Sequence, residues 1–218
     1  MMLMAIHSYE KANPLIERHW QYYLKACADK IIGITREDTN CWFPKNVPTF
    51  PIGKDSYVSG DNLCSRFIDT LDLMLTFSGY SRLVIIEPDV LFYRPLRFTD
   101  GIASHCMEHQ SGFKALRYWH APWCADRTAA RAIVAKGREM LRYGENESGY
   151  NDQFFGLLIE KLDLVYCQHI PGFAKNTIDN EDEARTAALA CLNNNGVFIH
   201  GIKHAETLAV IERLWGGY

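Results

Sequence analysis

Long apolar runs are missing from this chain. No stretch approaches the roughly 18 consecutive apolar residues of a membrane-spanning helix, so no segment reads as a span. The opening residues, MMLMAIHSYEK, lack a basic n-region and a small-residue cleavage site, and are expected to form a first strand, not a signal peptide. Paired cysteines are missing too. The seven cysteines, at 27, 41, 64, 106, 124, 167 and 191, are odd in number, scattered and without CxxC spacing. That argues against a disulfide framework and against a cysteine zinc cage, and leaves reduced thiols in a cytoplasmic protein as the expectation. There is no low-complexity tract, no internal repeat and no glycine-rich phosphate loop after the first apolar run. The net charge of -3 names no partner, and no obligate protein partner is evident.

What is present suits one globular domain over residues 1–218. At 48% hydrophobic and 12% aromatic, the chain can fill a sizeable core. Met2–His7 and Lys30–Thr35 read as short strands. Between them, from Tyr9 to Ala28, Leu15, Ile16, Trp20, Tyr23, Leu24 and Cys27 recur at helical spacing. Residues 36–60, rich in Pro, Gly, Asn and Asp, read as a long loop. A helix follows, with Asp61 as its N-cap, an apolar stripe of Leu63, Phe67, Leu71, Met74 and Leu75, and Gly79 as its stop. Arg82–Ile86, apolar on both faces, reads as a central strand. Further on, Phe113–Trp119, Leu164–Gln168 and Val197–His200 are expected as strands. Asp126–Tyr143, Asn151–Leu162, an acidic-starting segment ending near Leu192 and Glu206–Trp215 are expected as helices. The alternation predicts an α/β fold with a mostly parallel central sheet flanked by helices.

The chemistry centres on VIIEPDVLF, residues 84–92. In a parallel α/β sheet, ligands gather at the carboxyl ends of the strands, where Glu87 stands. Pro88 cannot donate to a sheet ladder, so the strand should end there. Residues i and i+2 of an extended segment point the same way, so Glu87 and Asp89 can face one spot. Two hard oxygen ligands suit Mg²⁺ or Mn²⁺ held jointly with substrate phosphates. The plain reading is a solvated strand end. In FIHGIK, residues 198–203, His200 ends a strand and Lys203 follows. An imidazole suits a borderline metal and a lysine suits a phosphate, although a histidine at a strand end is often only structural.

The strand–helix–strand–helix–strand order, closed by apolar-acid-x-Asp-apolar, resembles the GT-A glycosyltransferases. The resemblance covers most of the chain and implies a single Rossmann-like domain. Residues 1–100 would bind a nucleotide sugar, and residues 101–218 would bind the acceptor and close the metal site. It implies a hexosyl transfer from a nucleoside-diphosphate sugar, UDP-hexose by preference, with Mn²⁺ or Mg²⁺. Asp89 would be the metal ligand and Glu87 the ribose-side acid or a further ligand, Glu standing where the family has Asp. His200 and Lys203 resemble the family's C-terminal histidine motif, at shorter spacing. In GYNDQFF, Asp152 and Gln153 sit where the family has either the base of inverting enzymes or the sugar-contacting Asp-Gln pair of retaining, glycogenin-like ones; the plain reading is a helix N-cap. Asn62 and Arg66, and His7, Ser8 and Thr35 after the first two strands, fall where the family binds the nucleotide.

For the acceptor, residues 113–144 carry seven Lys or Arg against two acids, whereas the rest of the chain carries 16 against 24. With Tyr118, Trp119, Trp123 and Arg127 this suits a polyanion with bases to stack upon, such as DNA bearing a hydroxymethyl base flipped from the duplex. An acidic or ordinary glycan fits as well, and so does a helix with a charged outer face. Two other classes compete: a nucleotide-sugar-binding module without turnover, and a nucleotidyltransferase, which the missing glycine-rich loop weakens.

Overall fold

The computed structural model describes residues 1–8, 13–36, 41–53, 60–108, 117–145, 151–162 and 167–216. In chain order these form β1 (Met2–His7), α1 (Asn13–Lys25), β2 (Lys30–Thr35), β3 (Thr49–Pro51), α2 (Gly60–Leu75), β4 (Arg82–Ile86), β5 (Val90–Phe92), β6 (Ile102–Glu108) and β7 (Arg117–Asp126). They continue with α3 (Arg127–Arg142), α4 (Asn151–Lys161), β8 (Cys167–His169), β9 (Gly172–Ala174), α5 (Glu181–Asn193), β10 (Phe198–His200) and α6 (Ala205–Trp215).

The central sheet has the order β3-β2-β1-β4-β7-β6-β8. β3, β2, β1 and β4 are parallel, β7 runs against both β4 and β6, and β6 and β8 are parallel. The fold is therefore α/β with a mostly parallel, Rossmann-like sheet. β1 and β4 owe their central place to composition. Leu3, Met4, Ala5, Ile6, Leu83, Val84, Ile85 and Ile86 are all buried, each large side chain contributing about 1.5–3 kcal/mol by leaving water. A second sheet, β5-β10-β9, stands apart from the first. β5 begins directly after Asp89, and β10 ends at His200, so the antiparallel register sets His200 opposite Val90.

Several expectations need correction. The segment read as loop from 36 to 60 contains β3, which pairs with β2 in parallel from Gly33 to Thr35; three residues that follow Pro48 and end in Pro51 show too little alternation to read as a strand. α2 starts at Gly60, so Asp61 lies in its first turn and is not its N-cap. The strand expected at Phe113–Trp119 is β7, displaced toward the C-terminus, with residues 113–116 outside the described residues. The expectation for residues 164–166 likewise falls outside them, and β8 covers only Cys167–His169. Asp126, expected inside a helix, is the N-cap of α3, its carboxylate accepting from Ala129 N at 2.7 Å.

Candidate metal centre

β4 ends one residue before Glu87, and the Glu87–Pro88–Asp89 turn leads into the second sheet. There the backbone N–H groups of Gly201 and Ile202 donate to the Asp89 carbonyl at 3.1 and 3.2 Å. This pairing joins two segments more than a hundred residues apart. His200 Nε2 stands 3.0 Å from Glu87 Oε2 and 3.3 Å from Asp89 Oδ1, and Lys203 Nζ stands 3.5 Å from Asp89 Oδ2. Asp89 and His200 are buried, and Glu87 is half-buried.

The donor set fits a divalent ion. One atom each from Glu87, Asp89 and His200 lie within 4.8 Å of one another. Two ligands of an octahedral ion with bonds of about 2.1 Å sit about 3.0 Å apart. The two separations at His200 Nε2 are close to that edge. Two carboxylates and an imidazole suit Mn²⁺ better than an all-oxygen set would. In the protein alone, a proton plays the cation. Burial favours a neutral His200, but Asp89 and Glu87 outweigh it and push the imidazole up to about 10. Burial likewise opposes the Asp89 charge, yet the charge and hydrogen bond of His200 and the charge of Lys203 hold that carboxyl below its usual range. His200 Nδ1 is buried without a hydrogen-bond partner among the described residues.

Two buried side chains of α1 meet the turn from behind. His19 Nδ1 lies 2.9 Å and Tyr23 Oη 2.6 Å from the Pro88 carbonyl oxygen. A third buried group is His120 of β7, whose ring lies edge-on to His200 at 5.2 Å between centroids. Burial, helped by the His200 charge, lowers its pKa to about 3. None of these three was legible as part of a site. His19 and Tyr23 sit on the buried face of an ordinary amphipathic helix, and His120 has no motif around it.

The carboxyl edge of the sheet also gathers His7, Ser8, Thr35 and Arg66. All four are buried. His7 and Glu87 lie one residue beyond the Ile6–Ile86 pair of adjacent strands. Arg66 reaches inward from α2 and donates to the Ser8 and Ile34 carbonyls at 2.7 and 2.9 Å, tying together the ends of β1 and β2. Ser8 Oγ donates to the Ile34 carbonyl at 3.0 Å, and His7 Nε2 bonds Thr70 Oγ1 at 2.9 Å. Gln153 is buried in the first turn of α4. The side chains of Asn62, Asp152, Tyr118 and Trp119 lie outside the described residues. The backbone places Tyr118 and Trp119 opposite Met107 and Cys106, in the part of β7 that runs past the carboxyl end of β4.

Two acceptor residues are not brought to the site. Trp123 pairs in register with Ile85 and packs its ring against Phe67 at 5.5 Å, 2% exposed; it is core. Arg127 donates to the carbonyls of Leu75, Phe77 and Tyr80 at 2.5, 2.9 and 3.2 Å, closing the C-terminal end of α2. Its backbone bonds Ser81, just before β4, so about six strand rises of ~3.3 Å separate it from Glu87. On α3, Lys136 pairs with Glu139 and Arg138 with Asp72, as a charged outer helix face does.

No protein-family model matches the chain, and no curated protein matches it in sequence.

Proposed function

We propose that the chain is a metal-dependent glycosyltransferase that moves a sugar from a nucleoside-diphosphate sugar, UDP-hexose by preference, to an acceptor hydroxyl. The observation that carries this reading is the Glu87, Asp89 and His200 cluster at the carboxyl end of a central parallel strand, with Lys203 beside it. A divalent ion bound there supplies electrostatic stabilisation to a departing diphosphate. Lys203 offers a partly exposed ammonium to the same phosphates, held in place by Asp89. Buried Asp89 and His200 keep their geometry because both carbonyl and side chain are anchored, which is how preorganised charge becomes effective. In this reading Asp152, in the first turn of α4, takes the acceptor proton or, with Gln153, contacts the transferred sugar.

The acceptor is a hydroxyl compound. The polyanionic acceptor suggested by residues 113–144 loses Trp123 and Arg127 as contacts and keeps Tyr118 and Trp119, so what supports the reading lies on the donor side. No helix of the described residues is long and apolar enough to cross a membrane.

The test is a panel of nucleotide sugars with Mn²⁺, followed by mass spectrometry of the products with saccharides and hydroxymethylated DNA as acceptors. Release of nucleoside diphosphate, reduced at least a hundredfold in Asp89→Ala, is expected. Neither binding nor turnover of any nucleotide sugar would end the reading. Release of pyrophosphate from a nucleoside triphosphate would mark a nucleotidyltransferase instead.

A further inference from the structure

The Glu87–Pro88–Asp89 turn has few soft torsions. The pyrrolidine ring fixes φ of Pro88 near −65°. With that torsion fixed, ψ of Pro88 is one of the few that still set the angle between the two carboxylates, and it also sets where the Pro88 carbonyl points. That carbonyl receives two donors from one helix, His19 Nδ1 at 2.9 Å and Tyr23 Oη at 2.6 Å. Residues four apart share a helix face, so both arrive from the same side. The next carbonyl, that of Asp89, is held by Gly201 and Ile202 N–H. Of the two peptide planes between Glu87 and Asp89, the Pro88–Asp89 plane is held by these side chains and the Glu87–Pro88 plane by the Glu87 carbonyl, which accepts from Val90 N–H at 3.3 Å; the plane after Asp89 is held by backbone as well.

We propose that His19 and Tyr23 are positioning residues of the metal centre, holding the Pro88 peptide so that Glu87 and Asp89 face His200 at ligand spacing. This rests on the reading of the cluster as a metal site. A carbonyl only accepts, so His19 carries its proton on Nδ1. Its Nε2 is then an acceptor, fully buried and without a partner among the described residues. A buried unpaired acceptor costs stability, and a leucine at this place on α1 would avoid that cost. The bond to Pro88 is what the histidine offers that a leucine does not. Neither side chain touches the ion; both act through one carbonyl.

The neighbouring Tyr22 provides a matched control. It sits on the same helix turn, but its hydroxyl bonds Glu212 Oε1 at 2.7 Å, away from the turn. The experiment measures the Mn²⁺ dissociation constant of the full chain by electron paramagnetic resonance, with thermal melting to confirm folding. Tyr23→Phe keeps the ring, loses the donor, and should weaken Mn²⁺ binding about tenfold, the usual effect of losing a group that orients a ligand. His19→Leu should do the same. His19→Asn, which keeps an N–H near the position of Nδ1, should recover most of the affinity, and Tyr22→Phe should stay within about twofold of the parent. Folded Tyr23→Phe and His19→Leu proteins that bind Mn²⁺ like the parent overturn the positioning role and leave the metal site standing. So does an equal loss in Tyr22→Phe, which would mark a general effect of disturbing α1. If the parent protein binds no Mn²⁺, the metal reading and the positioning role fall together.

Discussion

At Gly201 the chain leaves β10 with φ at 103°, a region that side chains with a Cβ rarely enter. The space is closed as well: a Cβ there would lie 2.2 Å from the Lys175 carbonyl oxygen. That backbone is itself tied to the strand, because Lys175 N–H donates to the His200 carbonyl and Ile178 N–H to that of Gly201. Relief by a side-chain rotation is therefore not open to it. Gly201→Ala should cost about 2–4 kcal/mol, combining a strained dihedral with a clash against backbone, as read by urea unfolding. Because His200 and Lys203 flank this residue, Mn²⁺ affinity should fall with it. An alanine variant of parental stability would show that the turn after His200 is not held as described.

At the scale of elements, Arg127 shows how a residue that looks available for a ligand can belong to the frame. α2 ends at Leu75, leaving carbonyls that the helix cannot satisfy by itself, and the Arg127 fork collects three from the segment 75–80. Arg127→Met keeps the aliphatic stem but removes those donors. It should destabilise the fold by about 2–3 kcal/mol, since hydrogen bonds from a charged group are among the stronger ones. The proposed transferase activity, measured per folded molecule, should be unchanged, and a specific loss of acceptor binding would restore the acceptor role. The same contrast explains what was legible. β1, β2, β4 and the later helices α3 to α6 announced themselves by periodicity and apolar runs, and Glu-Pro-Asp by its place after a strand apolar on both faces. β10 reads from its apolar run as Val197–His200 and is found at Phe198–His200, whereas β5 and β9, three residues each, are too short to carry alternation. The second sheet, which sets His200 against Asp89, therefore showed only its middle strand in the sequence. The parts played by His19 and Tyr23 were hidden for another reason, and Arg66 reads only as a nucleotide-side residue. All three act through backbone carbonyls, and a carbonyl contact leaves no pattern of residue types.

Across the whole molecule, the candidate metal centre lies where two cores share a wall. Along β5, Val90 and Phe92 enter the larger core and Leu91 the smaller. Along β10, Phe198 joins the larger and Ile199 the smaller. This is the alternation of a strand with a core on each face. α1 does likewise, giving Ile16 and Tyr23 to one and Tyr22 to the other. Neither core keeps its wall if the other opens, so one cooperative unfolding transition is expected. Its dependence on acid should be set largely by histidines buried as neutral groups. Burial, aided by the Arg18 charge, lowers His19 to about 4 against an ordinary 6.5, although the Pro88 carbonyl, Asp89 and Glu212 pull the other way. Burial and the Arg66 charge also hold His7 well below its ordinary range. The unfolded chain takes up these protons first. Stability from His19 is therefore intact above pH 6.5, declines as pH falls toward 4, and levels off below 4, where the folded protein also binds the proton. A shift of that size corresponds to about 3 kcal/mol. Urea unfolding of the parent and of His19→Leu between pH 7 and 4 tests it. The parent should lose about 3 kcal/mol more than the variant across this window, with His7 contributing equally to the decline of both. Parallel curves would mean that His19 is not held neutral behind the Glu-Pro-Asp turn.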